Sequence, residues 1–360
     1  MKILIVQDHL RSGGTERQSV LLANAFAAAG HAVTLLNFRP GGALADTAAA
    51  TVGRIVLQPF DTGMDWFAPG IFRQARRAQP DIVLCMGRMA NCYAGGLQKH
   101  LPNTAVLATM RTGKKLPWLF RRSLRLVRAV VANSHEAKAN LIVHYGATEE
   151  KIAVIHNSLI FRPTPAAEVR DQLRRQHGAT EKTFVLLCVA MFRPEKNQRE
   201  LVEIAAQLPA TSDWQLWLAG DGEARAACES LAKQKNLGAR VKFLGWQRDP
   251  SSLYAAADIA VHASWSEALS NFLIEAQAAG LPVVAYKAQG IAESCLPGET
   301  GFILPRNDRA AFCDKLAALA HAPENERASR SEHARAYARE TFDHDRQVAR
   351  YLALFEDLHK

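Results

Sequence analysis

The chain is poor in the features that would place it in several protein classes. Its six cysteines (Cys85, Cys92, Cys188, Cys228, Cys295 and Cys313) include no C-x-x-C pair. Cys188 sits inside an apolar strand-like run, and 360 residues need no disulfide staples. Reduced thiols of a cytoplasmic protein are therefore the expectation. No run approaches the ~18 apolar residues of a membrane span. The opening Met1–Asp8 is too short and too soon acidic for a signal peptide. Gly-x-Gly-x-x-Gly is missing after the first apolar run, which disfavours a Rossmann dehydrogenase. There is no repeat, no low-complexity segment and no nucleic-acid recognition motif.

Acidic residues are scarce in one half only. Residues 1–160 hold 19 basic groups against 9 acidic ones, whereas 161–360 hold 25 against 26, so the whole +9 excess lies N-terminal. That asymmetry points to an anionic partner for one half, a membrane surface or a polyanion.

What is present is enough for two cores: 48% of residues are hydrophobic and 22% charged, over a length that suits two domains. Ile3–Val6 is a short apolar run suited to a buried parallel strand. Ser12-Gly13-Gly14 follows, and Thr15 with Gln18 forms a capping-box pattern for a helix to about Ala29. Strands at Val33–Leu36, Asp81–Cys85, Ala105–Ala108 and Ala129–Ala132 alternate with helices at Ile71–Ala78 and near Trp118–Val127, where Pro117 marks the first helical position. A second cycle begins after the loop 157–164, with strands Phe184–Val189, Gln215–Ala219, Val241–Leu244, Ile259–Ala263 and Val283–Ala285. This alternation predicts an α/β chain of two Rossmann-like, doubly wound parallel sheets, residues 1–160 and 161–343, with a ligand cleft between the sheets' carboxyl edges. The last helix, about 344–360, has no strand after it and is expected to pack back on the first domain.

The most informative stretch runs from Ser264 to Ala276, with Glu267 and Glu275 eight residues apart. On one continuous helix that spacing is roughly 80° of rotation, so the two would not share a face. Ser270 as N-cap instead leaves Glu267 in the preceding loop and puts Glu275 just over a turn into a helix. The backbone N–H groups of Asn271, Phe272 and Leu273 then form an anion site for a diphosphate, with Glu275 reading a ribose and Glu267 a sugar hydroxyl. Two carboxylates alone also fit a solvated or capping surface loop.

The wording S-x-x-E-x-x-x-N-x-x-x-E-A from Ser264 to Ala276, continued by Gly280-Leu281-Pro282-Val283-Val284, resembles the E-x7-E signature of the retaining GT-B glycosyltransferases of family 4. The resemblance extends over nearly the whole chain, through Gly13-Gly14-Thr15-Glu16, Pro80-Asp81-Ile82-Val83, Pro194-Glu195-Lys196-Asn197, Gly220-Asp221-Gly222 and Gly298-Glu299-Thr300-Gly301. It implies a GT-B fold and transfer with retention from a nucleotide-sugar, UDP-sugar favoured, without a metal or other cofactor. The only Asp-x-Asp, Asp343-His344-Asp345, lies far from the donor motif.

Position by position, the resemblance implies that Gly13 and Gly14 approach the donor, that Glu267 acts at the sugar, and that Arg193 and Lys196 neutralise the diphosphate. It sets Trp246 where relatives hold the base, though simple packing explains that residue equally. Departures are informative. Many relatives carry the arginine two residues earlier, where this chain has Met191, and a cleft histidine where it has Met110-Arg111-Thr112. Arg111, Lys114 and His9 are accordingly the acceptor-side candidates.

From Arg111 to Arg128 there are seven basic residues and no acid. Lys115, Arg121, Arg122, Arg125 and Arg128, with Trp118 beside them, form the basic aromatic pattern of an interfacial membrane helix. Arg73, Arg76 and Arg77 make a second cluster, which a solvated helix face also explains. The expected activity is transfer to a lipid-linked or lipopolysaccharide-type glycan at the inner face of the cell membrane. The rivals are a soluble acceptor (a sugar phosphate or glucan) or a non-enzymatic polyanion-binding protein.

Overall fold

The computed structural model describes every residue except 162 and 164, which fall within the expected linker 157–164. The chain divides into two compact units, Met1–Ser158 with His344–Lys360, and Leu159–Asp343.

The first unit is built on a seven-stranded, all-parallel sheet of β1 (Lys2–Gln7), β2 (Ala32–Asn37), β3 (Gly53–Val56), β4 (Ile82–Cys85), β5 (Ala105–Met110), β6 (Ala129–Ala132) and β7 (Ile152–Val154). Their order is β3-β2-β1-β4-β5-β6-β7. Strands β4, β5 and β6 are buried at every position, which is why β4 and β6 read as unbroken apolar runs and β5 as one interrupted only at Thr109. Helices α1 (Gly14–Ala28), α2 (Ile71–Ala78), α3 (Ala90–His100), α4 (Trp118–Leu126) and α5 (His135–Tyr145) connect them.

The second unit carries β8 (Phe184–Val189), β9 (Trp214–Ala219), β10 (Val241–Gly245), β11 (Ile259–His262), β12 (Val283–Tyr286) and β13 (Gly301–Leu304) in the order β10-β9-β8-β11-β12-β13, again all parallel. Its helices are α6 (Ala167–Gln176), α7 (Gln198–Ala205), α8 (Arg225–Gln234), α9 (Ser251–Ala256), α10 (Asn271–Ala278), α11 (Arg309–Ala320) and α12 (Glu324–Phe342). Both sheets reverse their strand order once, between β1 and β4 and between β8 and β11. In such sheets the loops leaving the carboxyl ends at the reversal diverge and leave room for a ligand.

The last helix, α13 (His344–His359), lies in the first unit. Tyr351 and Phe355 pack on Phe26 of α1, with ring centroids 6.0 and 5.4 Å apart. Each buried ring contributes about 1.5–3 kcal/mol.

Two local expectations fail. Gln18 does not cap α1: its amide exchanges hydrogen bonds with the backbone of Ser158 (2.7 and 2.9 Å). Gly13 is the N-cap and has no side chain to offer. A long-range pair of backbone bonds outcompetes the local box because both Ser158 groups are buried and need partners. Pro117 is the N-cap of α4 rather than its first helical residue. All six cysteines are free thiols.

Candidate active site

The reversal in the second sheet brings together the loop leaving β8, residues 190–197, and the loop leaving β11, residues 263–270. The first ends in a single 3-10 turn, Pro194–Lys196, with Arg193 as its N-cap. The amide of Gln198 donates to the carbonyls of Ala190 and Met191 and closes the loop at its base. The second loop is stitched to it, because the Glu195 carbonyl accepts both the Ser264 hydroxyl (2.9 Å) and the Trp265 N–H (2.9 Å). Asn197 donates to the Ala263 carbonyl.

Two further close approaches fix this geometry. Gly220, at φ +140°, lies where a Cβ would overlap the Ala190 carbonyl, and Gly290, at φ +71°, where one would overlap the Ala268 carbonyl. Only glycine satisfies both the left-handed backbone and the contact at these positions.

This frame sets Lys196 against Glu267. The lysine Nζ donates to Glu267 Oε1 at 2.5 Å, and His262 Nε2, from the end of β11, reaches the same oxygen at 2.9 Å. Glu267 is 8% exposed and His262 1%. Burial pushes the Glu267 carboxyl up, but the Lys196 charge and the His262 hydrogen bond outweigh it and hold the pKa at about 2. The glutamate is thus a fixed anion at neutral pH. The Arg193 guanidinium, half-buried, has no hydrogen-bond or ion-pair partner among the described residues.

Glu267 lies in the loop and Glu275 in the second turn of α10, as their spacing required. Ser270 is the N-cap residue, yet its side chain makes no cap hydrogen bond. The serine hydroxyl therefore does not occupy the N-terminus of α10 as a capping oxygen. Glu275 accepts a hydrogen bond from Tyr254 of α9 (2.6 Å), whose ring stacks on Phe272. Leu273 is buried in the core of its unit and Trp246, just past β10, is 50% exposed. The side chains of Phe272 and Leu273 are packing groups; only their backbone is suited to anion binding.

The remaining candidates lie in the first unit. At Gly13 an added Cβ would meet the Glu16 carboxylate, so the room it leaves is taken by that side chain; Gly14 opens α1. His9 Nε2 faces the Pro40 carbonyl at 3.2 Å, and burial, then Arg39 and Arg11, lower its pKa. Arg111 is committed structurally: it donates to Asn157 Oδ1 (2.5 Å) and to the Tyr351 hydroxyl (2.7 Å), tying β5 to α13. Lys114 and Lys115 are exposed. On α4, Phe120, Ser123 and Leu124 face inward and Trp118, Leu119, Arg121, Arg122 and Arg125 outward, with Arg128 exposed just beyond.

Three groups escaped the sequence reading: His262, Tyr254 and Asp8. Asp8 bridges the reversal of the first sheet, accepting the N–H groups of Met89 (2.9 Å) and Ala90 at the start of α3. Burial pushes its pKa up to about 7 against those two bonds. The signal for His262 was present, as a lone polar residue ending an apolar strand five positions before Glu267.

The two all-parallel sheets, each with a single reversal, are a fold of the GT-B type. Residues 169–339 match the family described as glycosyl transferases group 1, and residues 12–159 match Glycosyltransferase Family 4. The chain is 28% identical, over 305 residues and 84% of both proteins, to the lipopolysaccharide core biosynthesis glycosyltransferase LpsE of Rhizobium meliloti. It is 29% identical to the N-acetyl-alpha-D-glucosaminyl L-malate synthase of Bacillus anthracis, covering 52% of this chain and 49% of that protein. It spans about half the length of several curated relatives it matches. Among solved structures, Alr3699/HepE of Anabaena in complex with UDP aligns over 99% of this chain and 100% of that one, at a TM-score of 0.85 and 22% identity. WaaG, a glycosyltransferase involved in lipopolysaccharide biosynthesis, aligns over 99% of each chain at a TM-score of 0.76 and 19% identity. At these identities the structural likeness is one of fold.

Proposed function

We propose that this protein is a retaining glycosyltransferase that moves a sugar from a nucleoside-diphosphate donor, UDP-sugar above others, to a lipid-linked or lipopolysaccharide-type glycan at the cytoplasmic face of the membrane. The observation that carries the reading is the cluster at the reversal of the second sheet: a fixed anion, Glu267, paired with Lys196, in the loops that also carry Arg193, which has no partner among the described residues, and that lead into the N-terminus of α10. Chemically, the demand is to stabilise charge that develops on the leaving β-phosphate. Two cations and a helix N-terminus meet it electrostatically, in the role a metal plays elsewhere.

The acceptor hydroxyl attacks the anomeric carbon on the face that the diphosphate leaves. The new C–O bond forms as the bond to the β-phosphate oxygen breaks, and the hydroxyl proton passes to a leaving phosphate oxygen. Glu267, held anionic, balances the positive charge at the anomeric carbon and need not be a nucleophile.

Membrane contact is supported by the helical layer of the first unit. Helix α3 packs against both α2 and α4, since Gly95 lets Ser123 and Leu126 approach and Gly96 receives the Phe72 ring. The outward arginines of α2 and α4 are thereby carried on one layer. Trp118 is 61% exposed, with the Arg122 guanidinium 5.6 Å from its ring. The β3–α2 loop adds exposed Phe60 and Trp66. Its acids do not oppose an anionic surface, because Arg39 pairs with Asp61 and Asp65, and Arg11 with Asp65. Among the described residues no helix is long and apolar enough to cross a membrane.

The test is transfer from UDP-, GDP- and ADP-sugars to lipid-linked and water-soluble acceptors, with and without a chelator, reading the anomeric configuration of the product by NMR. The reading expects retention, chelator resistance and preference for the lipid-linked acceptor. An inverted product, or transfer abolished by the chelator, overturns the mechanism. Preference for a soluble acceptor overturns the membrane assignment alone.

A further inference from the structure

His262 is an expensive residue to keep where it stands. It is the last residue of β11, 1% exposed, with the Phe272 ring beside it. Its Nδ1 is buried without a hydrogen-bond partner among the described residues. A carboxylate only accepts, so Nε2 carries the proton it gives to Glu267. The ring gives its Nε2 proton to one oxygen of Glu267.

In the ligand-free protein that donor duplicates Lys196, which already reaches the same oxygen with a full charge. Its use becomes apparent in the donor complex, and this step rests on the proposed role of Lys196. A diphosphate carries more charge than one carboxylate and competes for the lysine, whose side chain is 24% exposed. Glu267 is then left buried, and its anionic form loses its strongest support. An uncharged acid could not balance charge at the anomeric carbon.

We propose that His262 is a positioning residue that keeps Glu267 anionic and oriented once the donor diphosphate has drawn Lys196 away. The titratable and charged groups facing Glu267 are Lys196 from the β8 loop, His262 from β11 and the Cys188 thiol of β8. Burial pushes the Cys188 thiol up to about 12, so it stays neutral. Of the three, His262 is the donor fixed at the end of a buried strand and 1% exposed, so it stays on Glu267 when the lysine turns to the phosphates.

Two substitutions separate this role from packing. His262→Gln places an amide N–H near Nε2, whereas His262→Phe fills the space and donates nothing. In the enzyme, kcat is measured from about pH 4 to pH 8 with saturating UDP-sugar. His262→Phe is expected to lower kcat about tenfold or more at neutral pH and to move the acid limb up by about one unit, while donor KM stays within about threefold. His262→Gln should keep the acid limb of the unsubstituted enzyme. An unmoved acid limb in His262→Phe, or the same shift in both variants, overturns the proposal.

A ligand-free arm is independent of the activity. Lys196→Met imitates the withdrawn lysine, and in that background the pH dependence of urea unfolding reports the Glu267 titration. Adding His262→Phe should move that titration upward, and adding His262→Gln should not. If this arm succeeds while no nucleotide-sugar supports transfer, the functional reading fails and the role of His262 at Glu267 stands. If His262→Phe does not fold, comparison of His262→Gln with His262→Asn, whose donor is a bond too short, decides in the same way.

Discussion

Replacing Lys196 with methionine isolates the ion pair on which the site is built. The Glu267 carboxyl titrates at about 2 instead of its ordinary 4.5. At about 1.36 kcal/mol per unit, that difference corresponds to about 3 kcal/mol of folding stability, and Lys196 is the largest of the groups lowering the value. The sign follows from linkage. A carboxylate whose pKa is depressed on folding contributes in full above its unfolded value and loses that contribution as pH falls through the folded one. Lys196→Met should therefore cost about 3 kcal/mol at neutral pH, with a gap to the unsubstituted protein that narrows as the pH drops from about 4.5 towards 2. Urea unfolding followed by tryptophan fluorescence suits the measurement, because Trp214, Trp217, Trp246 and Trp265 all lie in the second unit. In a Glu267→Gln background the same lysine substitution should cost under about 1 kcal/mol, since no buried anion is left behind. A cost below about 0.5 kcal/mol at neutral pH, or an undiminished cost in the Gln background, would show that Lys196 does not hold Glu267 as a buried anion.

Reversing Arg121, Arg122 and Arg125 to glutamate should abolish co-sedimentation with anionic vesicles at low salt, each lost cation being worth about 1 kcal/mol. It should leave UDP affinity unchanged; vesicle binding that survives the triple change would remove α4 from the contact. Gly290→Ala should destabilise the second unit by more than about 1 kcal/mol, because the left-handed backbone and the Ala268 carbonyl both oppose a Cβ. A neutral result in thermal unfolding would show that the loop bearing Glu267 is not braced there.

Much of this was legible in the sequence for a physical reason. Strands buried on both faces need nearly continuous apolar runs, so β4 and β6, and β5 and β11 up to Thr109 and His262, are visible as such, and the order of strands and helices follows. The eight-residue spacing of Glu267 and Glu275 also located the start of α10. Other features depend on groups distant in the chain. Helix α3 hides behind Gly95 and Gly96, poor helix formers whose value lies in the close approach of α2 and α4. Gln18 resembles a cap until Ser158, 140 residues away, competes for it. Arg111 resembles an acceptor ligand until Asn157 and Tyr351 occupy it. His262 was readable in principle, since a polar residue closing a buried strand must find a partner. Its partner lies only five residues on, but the intervening turn conceals the contact.

The central claim is that a nucleoside diphosphate is bound where β8 and β11 part, and calorimetric titration of UDP into the intact protein tests it most directly. Binding is expected to weaken at least about tenfold in Arg193→Ala, a residue with no partner to lose among the described residues, while the unfolding midpoint stays put. UDP affinity unchanged by Arg193→Ala, in a protein that binds UDP, would contradict it.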